Sequence, residues 1–421
     1  REFTGWVRFD TSGEDGNVIK ITVVPSGGAH ARTARFILAG TGGRERYEPR
    51  FWYNSIQKVV IEGVTKVPEL EDLTGVLISS SWQPGGQFRS SDDLVNWLHN
   101  AARRTSINYT TYLPNDASRE WKAWMEDPQN MFVANCYMFD AQTLYERWQW
   151  DIIDGQRADG NCPNVAPGAF FDNFNSPWWG GCIAWVPWHW YLHYGDATLL
   201  KDSYPAVKRY VDYLGLTAKE GMQEWLAQHF GGDASLEGMQ DWGLDDWYPV
   251  EKTPRAIVNT PAHFLYATIV SRTAAMMGKS QAARHYRDVA AKVADNFNDQ
   301  LLNRHSGQYG ANRSQAGQVM PLAVGLVPEA LRPAVERALL QEIRENQNHL
   351  STGFVSTPYL LQTIMDLAPE LGWEMTTAQD YPSYYSMTAG SDHDLMMEKW
   401  DGGMVCMPSL GGNIAGWHYQ A

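Results

Sequence analysis

The sequence predicts a mainly α-helical protein, in which a closed helical toroid, the (α/α)6 barrel, follows part of an antiparallel β-sandwich. Short β-branched runs separated by glycine-rich turns occupy residues 1–89, whereas apolar residues recur at the helical period in 90–421. No repeat of fixed length runs through the helical part, which argues against an open array of helical repeats. We therefore predict two domains, a β-sandwich over 1–89 and an (α/α)6 barrel over 90–421.

Strand signals in the first domain are short and bounded by turns. Runs rich in Val and Ile occupy 18–24, 35–39 and 58–62, and stretches with Gly, Ser or Asp separate them. Short strands joined by glycine-rich turns are typical of an antiparallel sandwich. The first residues already have the pattern of a strand, so we expect the natural N-terminus to lie upstream of them.

The helical part begins near Asp92, where Ser90 and Ser91 also suit an N-cap. Apolar residues then recur at a spacing of three or four residues. The clearest later stripes are Val207, Val211 and Leu214, then Tyr286, Val289, Val293 and Phe297, then Val335, Leu339 and Ile343. From this pattern we predict roughly ten to twelve helices. Many helices with aromatic-rich connections fit a closed toroid.

Composition excludes several classes of partner. The chain has 421 residues and a formal net charge of −14, so nucleic acid and anionic membranes are poor partners. No apolar run reaches the roughly 20 residues that a membrane span requires. Cys136, Cys162, Cys182 and Cys406 are scattered without metal-type spacing, which predicts buried thiols. The sequence assigns no oligomeric state.

Tryptophan is unusually frequent, with 19 residues, and nine of them lie between positions 121 and 190. A core built from Leu or Ile avoids the need to bond an indole N–H, so this clustering favours a carbohydrate-binding cleft. Trp178 and Trp179 stand beside two glycines, and we interpret the pair as an exposed platform on which a sugar ring stacks. Packing between helices is the alternative for this pair.

The stretch 112–129, with the sequence Y-L-P-N-D-A-S-R-E-W-K-A-W-M-E-D-P-Q, places four carboxyl groups beside two indoles. Asp116, Glu120, Trp124 and Asp127 lie at i, i+4, i+8 and i+11, which is one face if the segment is helical. A carboxyl against an aromatic wall is desolvated, and desolvation raises its pKa. A raised pKa suits a general acid, so we predict a catalytic acid here, with an acidic helical surface as the alternative.

A second candidate carboxyl is Glu398, which stands in M-E-K-W-D-G-G before a glycine turn. It lies 278 residues after Glu120, and only a closed fold such as a toroid brings residues so distant in sequence together. Hydrolysis of a glycosidic bond uses two carboxyls that flank the sugar, so we predict Glu120 and Glu398 as this pair. A solvated acid at a helix end is the alternative for Glu398.

Two further acid–indole pairs, Asp241 with Trp242 and Asp246 with Trp247, are candidates for the same cleft. The chain has no H-E-x-x-H or comparable metal spacing, no G-x-S-x-G motif, and no phosphate or dinucleotide loop. We therefore expect no metal and no cofactor, and a carbohydrate as the substrate.

Taken together, these motifs resemble those of bacterial α-L-rhamnosidases of glycoside hydrolase family 78, over nearly the whole chain. The acid stretch is similar to the family pattern P-T-D-x-P-x-R-E-x-x-x-W-x-x-D-x-Q. Other runs match the family in the same order: E-P-R-F-W-Y-N-S-I-Q-K-V-V-I-E-G (48–63), D-G-Q-R-A-D-G-N-C-P-N-V-A-P (154–167), S-T-G-F-V-S-T-P (351–358), Y-P-S (381–383) and M-E-K-W-D-G (397–402).

The resemblance implies an (α/α)6 barrel after a β-sandwich, and an inverting, exo-acting hydrolase of terminal α-L-rhamnosyl residues. By matching positions, it implies that Glu120 is the general acid and that Glu398 is the base that activates water. The residues that it implies around the sugar are Asp116, Arg119, Trp124, Asp127, Trp179 and Trp242. We add Asp241 and Trp400, which adjoin Trp242 and Glu398, to the predicted substrate-binding residues.

The sequence differs from the family pattern at three places near the implied pocket. The spacing from Asp116 to Glu120 is one residue shorter than in the family pattern. Gly181 stands where Asp is common, and Gly412 stands near the place of a sugar-contacting His. Two alternatives to rhamnoside hydrolysis therefore stay open. One is a related toroid glycosidase that acts on another deoxy or L-sugar, and the other is a catalytically silent carbohydrate-binding protein.

Overall fold

The structure of the chain, a computed structural model, describes residues 2–25, 30–80, 83–112, 115, 117, 121–168, 176–219, 236, 238–388, 395–402, 408–411 and 413–420. Two antiparallel sheets form its N-terminal part. In the first sheet, β1 (Phe3–Thr11) pairs with β4 (Glu45–Tyr47) and β5 (Asn54–Ile56) along one edge and with β7 (Leu73–Leu77) along the other. The second sheet has the order β3 (Arg32–Ile37), β2 (Val18–Val24) and β6 (Lys58–Glu62).

The two sheets pack face to face, because their central strands turn alternate apolar side chains toward each other. Phe9 of β1 meets Ile19 and Ile21 of β2 in one buried cluster. Val7 of β1 meets Val23 of β2 in a second cluster. The described strands therefore form the predicted antiparallel sandwich.

Thirteen α-helices lie in the described part of the chain after residue 92, and the last but one is a single turn. They are α1 (Asp93–Tyr109), α2 (Glu126–Met138), α3 (Gln142–Asp154), α4 (Pro177–Tyr194), α5 (Thr198–Thr217), α6 (Arg255–Met276), α7 (Ser280–Leu301), α8 (Gln315–Val324), α9 (Arg332–Glu345), α10 (Thr357–Leu367), α11 (Pro369–Thr377), α12 (Pro408–Gly411) and α13 (Ile414–Gln420). Two short strands, β8 (Leu302–Asn303) and β9 (Gln308–Tyr309), pair between α7 and α8. The first helix begins as predicted, because the Asp92 carboxylate accepts the backbone N–H groups of Leu94 and Val95.

Six helices form a closed inner ring in which each helix contacts the next. Their order is α2, α4, α6, α8, α10 and α13, and α13 returns to α2. The other long helices pack outside this ring, and α1 packs against α13, so the first and last helices of the chain are partners. This arrangement is the predicted (α/α)6 barrel, and it rules out the alternative of an open array.

Burial separates the inner and outer layers of the ring. The inner helices α2 and α4 are buried over most of their residues, because they contact neighbours on nearly every side. The outer helix α7 buries one stripe, formed by Tyr286, Ala290, Val293, Phe297 and Asn298. Apolar stripes at helical spacing therefore predicted the outer helices well, whereas the inner helices α2 and α4 bury polar as well as apolar side chains and show no single stripe.

Contacts between α4 and the start of α10 cross the axis of the ring, because these two helices are not neighbours in it. The Trp185 indole N–H donates to the Tyr359 hydroxyl at 3.0 Å, and the Trp178 ring lies 5.4 Å from the Tyr359 ring. Trp179 stacks on Phe354, with 6.1 Å between the ring centres and 7° between the planes. These aromatic contacts join opposite sides of the ring across its centre.

Three of the four cysteines lie in the described part of the chain. Cys136, Cys162 and Cys182 are buried free thiols, as predicted, and burial raises the pKa of Cys136 to about 12. Cys406 lies outside the described residues. Among the helices that the structure describes, none combines the length and apolar character needed to span a membrane.

Packing explains why Gly181 stands in α4. A Cβ atom at this position would lie 2.1 Å from the hydroxyl oxygen and 2.2 Å from ring carbons of Tyr266 in α6. Tyr266 is fully buried, so close packing leaves its ring little room to move aside. The Asp that is common here in the resembled family therefore does not fit, and the glycine lets α4 and α6 approach.

We expect Gly181→Ala to lower the free energy of unfolding by about 1–3 kcal/mol, because the added methyl group overlaps the Tyr266 ring. Gly215→Ala in α5 is the matched control, since a Cβ there meets no atom within 4 Å. This control should be neutral or should add up to about 1 kcal/mol of helix stability. Thermal unfolding followed by circular dichroism measures both variants, and equal melting temperatures would contradict the packing argument.

Candidate active site at one end of the helical ring

Glu398 is a buried carboxyl with a fixed orientation. It is 4% exposed, and the Trp247 indole N–H donates to its Oε1 at 3.2 Å. Its own segment is anchored two residues later, where Trp400 Nε1 donates to the Thr352 carbonyl at 2.7 Å. These two contacts hold the Glu398 carboxyl in one place.

Asp246, the residue before Trp247, ties this site to the loop that precedes α10. Its carboxylate accepts the backbone N–H groups of Gly353 at 2.7 Å and of Val355 and Ser356 at 3.0 Å each, as well as the Ser356 hydroxyl. Burial raises the pKa of Asp246 to about 6, and the effect of burial outweighs that of the hydrogen-bond donors, which lower the pKa. The loop 351–356 and the Trp247 backbone are therefore held as one unit.

The acid stretch reaches the same place through the first turn of α2. Glu126 and Asp127 are both buried there. Burial raises the pKa of Glu126 well above its usual range, and the nearby charges of Asp127 and Asp246 raise it further. One turn later, the Asn130 side chain donates to the Phe354 carbonyl at 2.8 Å. The start of α2 therefore adjoins both the Asp246 carboxyl and the loop before α10.

Four segments that are far apart in sequence thus meet at one end of the ring. They are the first turn of α2, the loop before α6, the loop before α10 and the segment 395–402. Closure of the ring explains this meeting, since α13 returns to α2. Buried carboxyls whose pKa values are shifted by burial and by each other are typical of catalytic sites.

The structure corrects the interpretation of one tryptophan pair. Trp178 is fully buried and Trp179 is 3% exposed, inside the ring rather than on its surface. The expected exposed platform is therefore wrong, and the alternative of packing between helices is correct. Trp400 is also almost fully buried, so the structure places it as a support for the Glu398 segment.

The two acid–indole pairs both lie in the segment before α6, and their contacts differ. Asp241 accepts the Ala256 backbone N–H at 3.0 Å, and so caps the first turn of α6. Trp242 is fully buried, whereas Trp247 reaches Glu398. These contacts favour Asp246 and Trp247 as the functional pair, whereas the sequence led us to predict Asp241 and Trp242. The acid–indole pattern was the signal that singled out both pairs.

The remaining predicted residues lie in or near the acid stretch. Trp124 is partly buried, its backbone pairs with that of Val165, and Lys122 Nζ lies 6.0 Å from the centre of its ring. The predicted residues Asp116, Arg119, Glu120 and Gly412 lie outside the described residues. The pairing of Glu120 with Glu398 therefore stays a prediction.

Comparison with curated proteins finds relatives along almost the whole chain. The α-L-rhamnosidase of Streptomyces avermitilis is 27% identical over 418 residues, which cover 95% of this chain and 38% of that protein. An α-L-rhamnosidase of Formosa agariphila is 25% identical over 427 residues, which cover 93% of this chain and 44% of that protein. The chain thus spans less than half the length of these relatives.

Solved structures give the same fold. An α-L-rhamnosidase of Streptomyces avermitilis complexed with L-rhamnose superposes with a TM-score of 0.84 at 25% identity, over 100% of this chain and 41% of that chain. The α-L-rhamnosidase of Dictyoglumus thermophilum superposes with a TM-score of 0.87 at 24% identity, over 100% of this chain and 48% of that chain. Both support the ring described above.

The family model for the bacterial α-L-rhamnosidase six-hairpin glycosidase domain matches residues 83–421. This match covers the whole helical ring and most of the chain, and it confirms the resemblance found in the motifs. The chain belongs to the bacterial α-L-rhamnosidase six-hairpin glycosidase family.

Proposed function

We propose that the chain carries the catalytic centre of an inverting, exo-acting α-L-rhamnosidase. The observation that carries this proposal is the buried Glu398 carboxyl, which accepts the Trp247 indole N–H where the start of α2 adjoins the loop before α10. The family membership and the relatives named α-L-rhamnosidase support the sugar. Glu120 acts as the general acid and Glu398 as the general base.

In the proposed reaction, Glu120 donates a proton to the glycosidic oxygen as the bond to C1 breaks. Glu398 takes a proton from a water molecule, and this water attacks C1 from the opposite face of the ring. The anomeric configuration inverts, because one displacement occurs and no covalent intermediate forms. An inverting pair leaves roughly 6.5–9.5 Å between the carboxyls, which is room for the water.

The filled centre of the ring supports action on terminal sugars. The contacts of Trp179 with Phe354 and of Trp185 with Tyr359 cross the axis, so a sugar chain cannot pass through it. A pocket with a closed inner end accepts one terminal residue. Around that residue, Asp116, Arg119, Trp124 and Asp127 keep their predicted roles, and Trp247 takes the place predicted for Trp242.

The reaction is tested by proton NMR of an α-L-rhamnoside in the first minutes of digestion. We expect the β-anomer of free L-rhamnose to appear first, because water attacks directly. Early appearance of the α-anomer would mean a retaining enzyme with a carboxylate nucleophile, and carboxyls only ~5 Å apart. Turnover of a different L-sugar or deoxy sugar instead would favour the related glycosidase. Measurable sugar binding without any turnover would favour the silent binding protein.

The roles of the two carboxyls are tested by their response to the leaving group. Glu120→Gln and Glu398→Gln should each lower kcat for an alkyl rhamnoside by several powers of ten. A 2,4-dinitrophenyl rhamnoside needs little protonation of its leaving group, so it should restore activity to Glu120→Gln and leave Glu398→Gln inactive. Equal recovery of both variants, or of neither, would show that the roles are wrong.

The choice between the two acid–indole pairs is tested by removing each indole N–H. Trp247→Phe should lower kcat about 10- to 100-fold, because a hydrogen bond to a charged group contributes about 1.5–3 kcal/mol. Trp242→Phe is the matched control, since its N–H donates at 2.6 Å to Gln240 in the core. It should lower the melting temperature and leave kcat within about twofold. The reverse pattern in kcat would restore the pair chosen from the sequence.

A further inference from the structure

A second cavity lies inside the helical ring, on the far side of the aromatic contacts that cross its axis. Its volume is about 200 Å3, and its walls come from α2, α4, α10 and α13. Trp185 and Tyr359, which bond across the axis, line its inner end, and His189 lines it one turn further along α4. Gln362 and Gln420, which are exposed to solvent, mark its mouth. The cavity is therefore separate from the candidate active site, which lies where α2 and α10 begin.

Two buried donors beside α13 have no protein partner within the described part of the chain. Asn413, which is 7% exposed, accepts the Tyr384 hydroxyl at 2.9 Å with its carbonyl oxygen, but its amide nitrogen donates to no described group. The indole N–H of Trp417, which is 5% exposed, also meets no acceptor among the described residues. Both side chains line the cavity, and their spacing of four residues places them on one face at the start of α13. Buried donors are normally paired, so these two groups point to a ligand that accepts hydrogen bonds.

His189 adds a hydrogen-bond acceptor from α4. Its Nδ1 lies 2.9 Å from the Trp185 carbonyl oxygen, and because a carbonyl can only accept, Nδ1 carries the proton. Burial lowers the pKa of His189 to about 4, so the ring is neutral at pH 7 and its Nε2 is an acceptor. The ring also stacks on that of Trp185, with 3.5 Å between the ring centres, which fixes its orientation. The cavity therefore offers both donors and an acceptor.

Carboxamide side chains recur around the cavity, at Gln129, Asn130, Gln362, Asn413 and Gln420. A carboxamide both donates and accepts, as a sugar hydroxyl does. None of the described residues that line the cavity is Asp, Glu, Lys or Arg, so a charged ligand would meet no opposite charge there. Trp185, Tyr359 and Trp417 add the apolar faces of their rings. These walls suit an uncharged ring that carries several hydroxyl groups.

We propose that this cavity is a second sugar-binding site, separate from the catalytic one, and that its occupant is one molecule of free L-rhamnose. A cavity of about 200 Å3 is smaller than the roughly 300–1,000 Å3 typical of drug-sized ligands, so it takes one sugar ring and excludes an oligosaccharide. Val133 and Leu361 give the methyl group of a 6-deoxy sugar an apolar wall. The choice of L-rhamnose rests on the proposed function, because that reaction releases it, whereas the cavity itself does not.

The test counts bound sugar by equilibrium dialysis of the full chain against radiolabelled L-rhamnose. We expect Val133→Phe, whose larger side chain occupies the cavity, to bind one sugar fewer per chain than the wild type. Trp417→Phe keeps an aromatic ring and removes the N–H, so it should weaken binding in the cavity about 5- to 30-fold, which corresponds to about 1–2 kcal/mol. Both variants should keep kcat/KM for an aryl α-L-rhamnoside within about twofold of the wild type, because neither residue borders the catalytic site.

Trp373→Phe is the matched control, because the Trp373 ring lies 6.3 Å from the Trp417 ring but does not line the cavity. It should bind L-rhamnose as the wild type does. Equal binding by the wild type and both cavity variants would overturn the second site, whatever the turnover, and Trp417→Phe decides alone if Val133→Phe does not fold. Binding of D-glucose in the cavity in preference to L-rhamnose would overturn the choice of occupant. Binding of L-rhamnose that is lost in the cavity variants, without turnover of any rhamnoside by the wild type, would overturn the proposed function and support the second site.

Discussion

The geometry of the site depends on the hydrogen bonds between the buried Asp246 carboxylate and the backbone of the loop before α10. A carboxyl removed from water is costly to bury unless donors replace its solvation. The loop before α10 supplies these donors from its backbone, so neither the loop nor the turn that carries Asp246 can shift alone. Trp247 follows Asp246 and reaches Glu398, while Thr352 in the same loop accepts the Trp400 indole N–H. Asp246 thus positions Glu398 indirectly, through Trp247 on one side and through the loop that holds Trp400 on the other.

Most of the clustered tryptophans pack inside the helical domain and do not form an exposed sugar-binding surface. Trp148, Trp178 and Trp185 are buried, and each indole N–H finds an oxygen acceptor in the ring. Large flat rings from α4 meet rings from the loop before α10 and from the start of α10 across the axis of the ring. The clustering of tryptophan that suggested a sugar-binding surface therefore reports mainly on how this ring is packed.

Local patterns predicted what depends on local geometry. The runs 18–24 and 58–62 coincide with β2 and β6, whereas the run 35–39 overlaps only the second half of β3. The helical stripes and the Asp92 cap are also where spacing placed them, because period and capping depend on neighbours within one turn.

The choice between Asp241 and Asp246 could not follow from spacing. Both acids precede an indole, and the two pairs are five residues apart in the same connection. One acid caps α6 and the other binds the backbone of a loop more than 100 residues later, so tertiary contacts alone distinguish them. The glycine at position 181 could not be explained from spacing either, because it is required by the Tyr266 ring of another helix.

The filled axis of the ring has a consequence for how the proposed enzyme works along a substrate. Because α4 and the start of α10 meet across the centre, we expect the proposed pocket to have one mouth, through which substrate and water enter and the freed sugar leaves. The shortened chain cannot slide forward while the released monosaccharide fills the pocket ahead of it. Each cleavage must therefore end with dissociation, and the proposed enzyme would be distributive rather than processive.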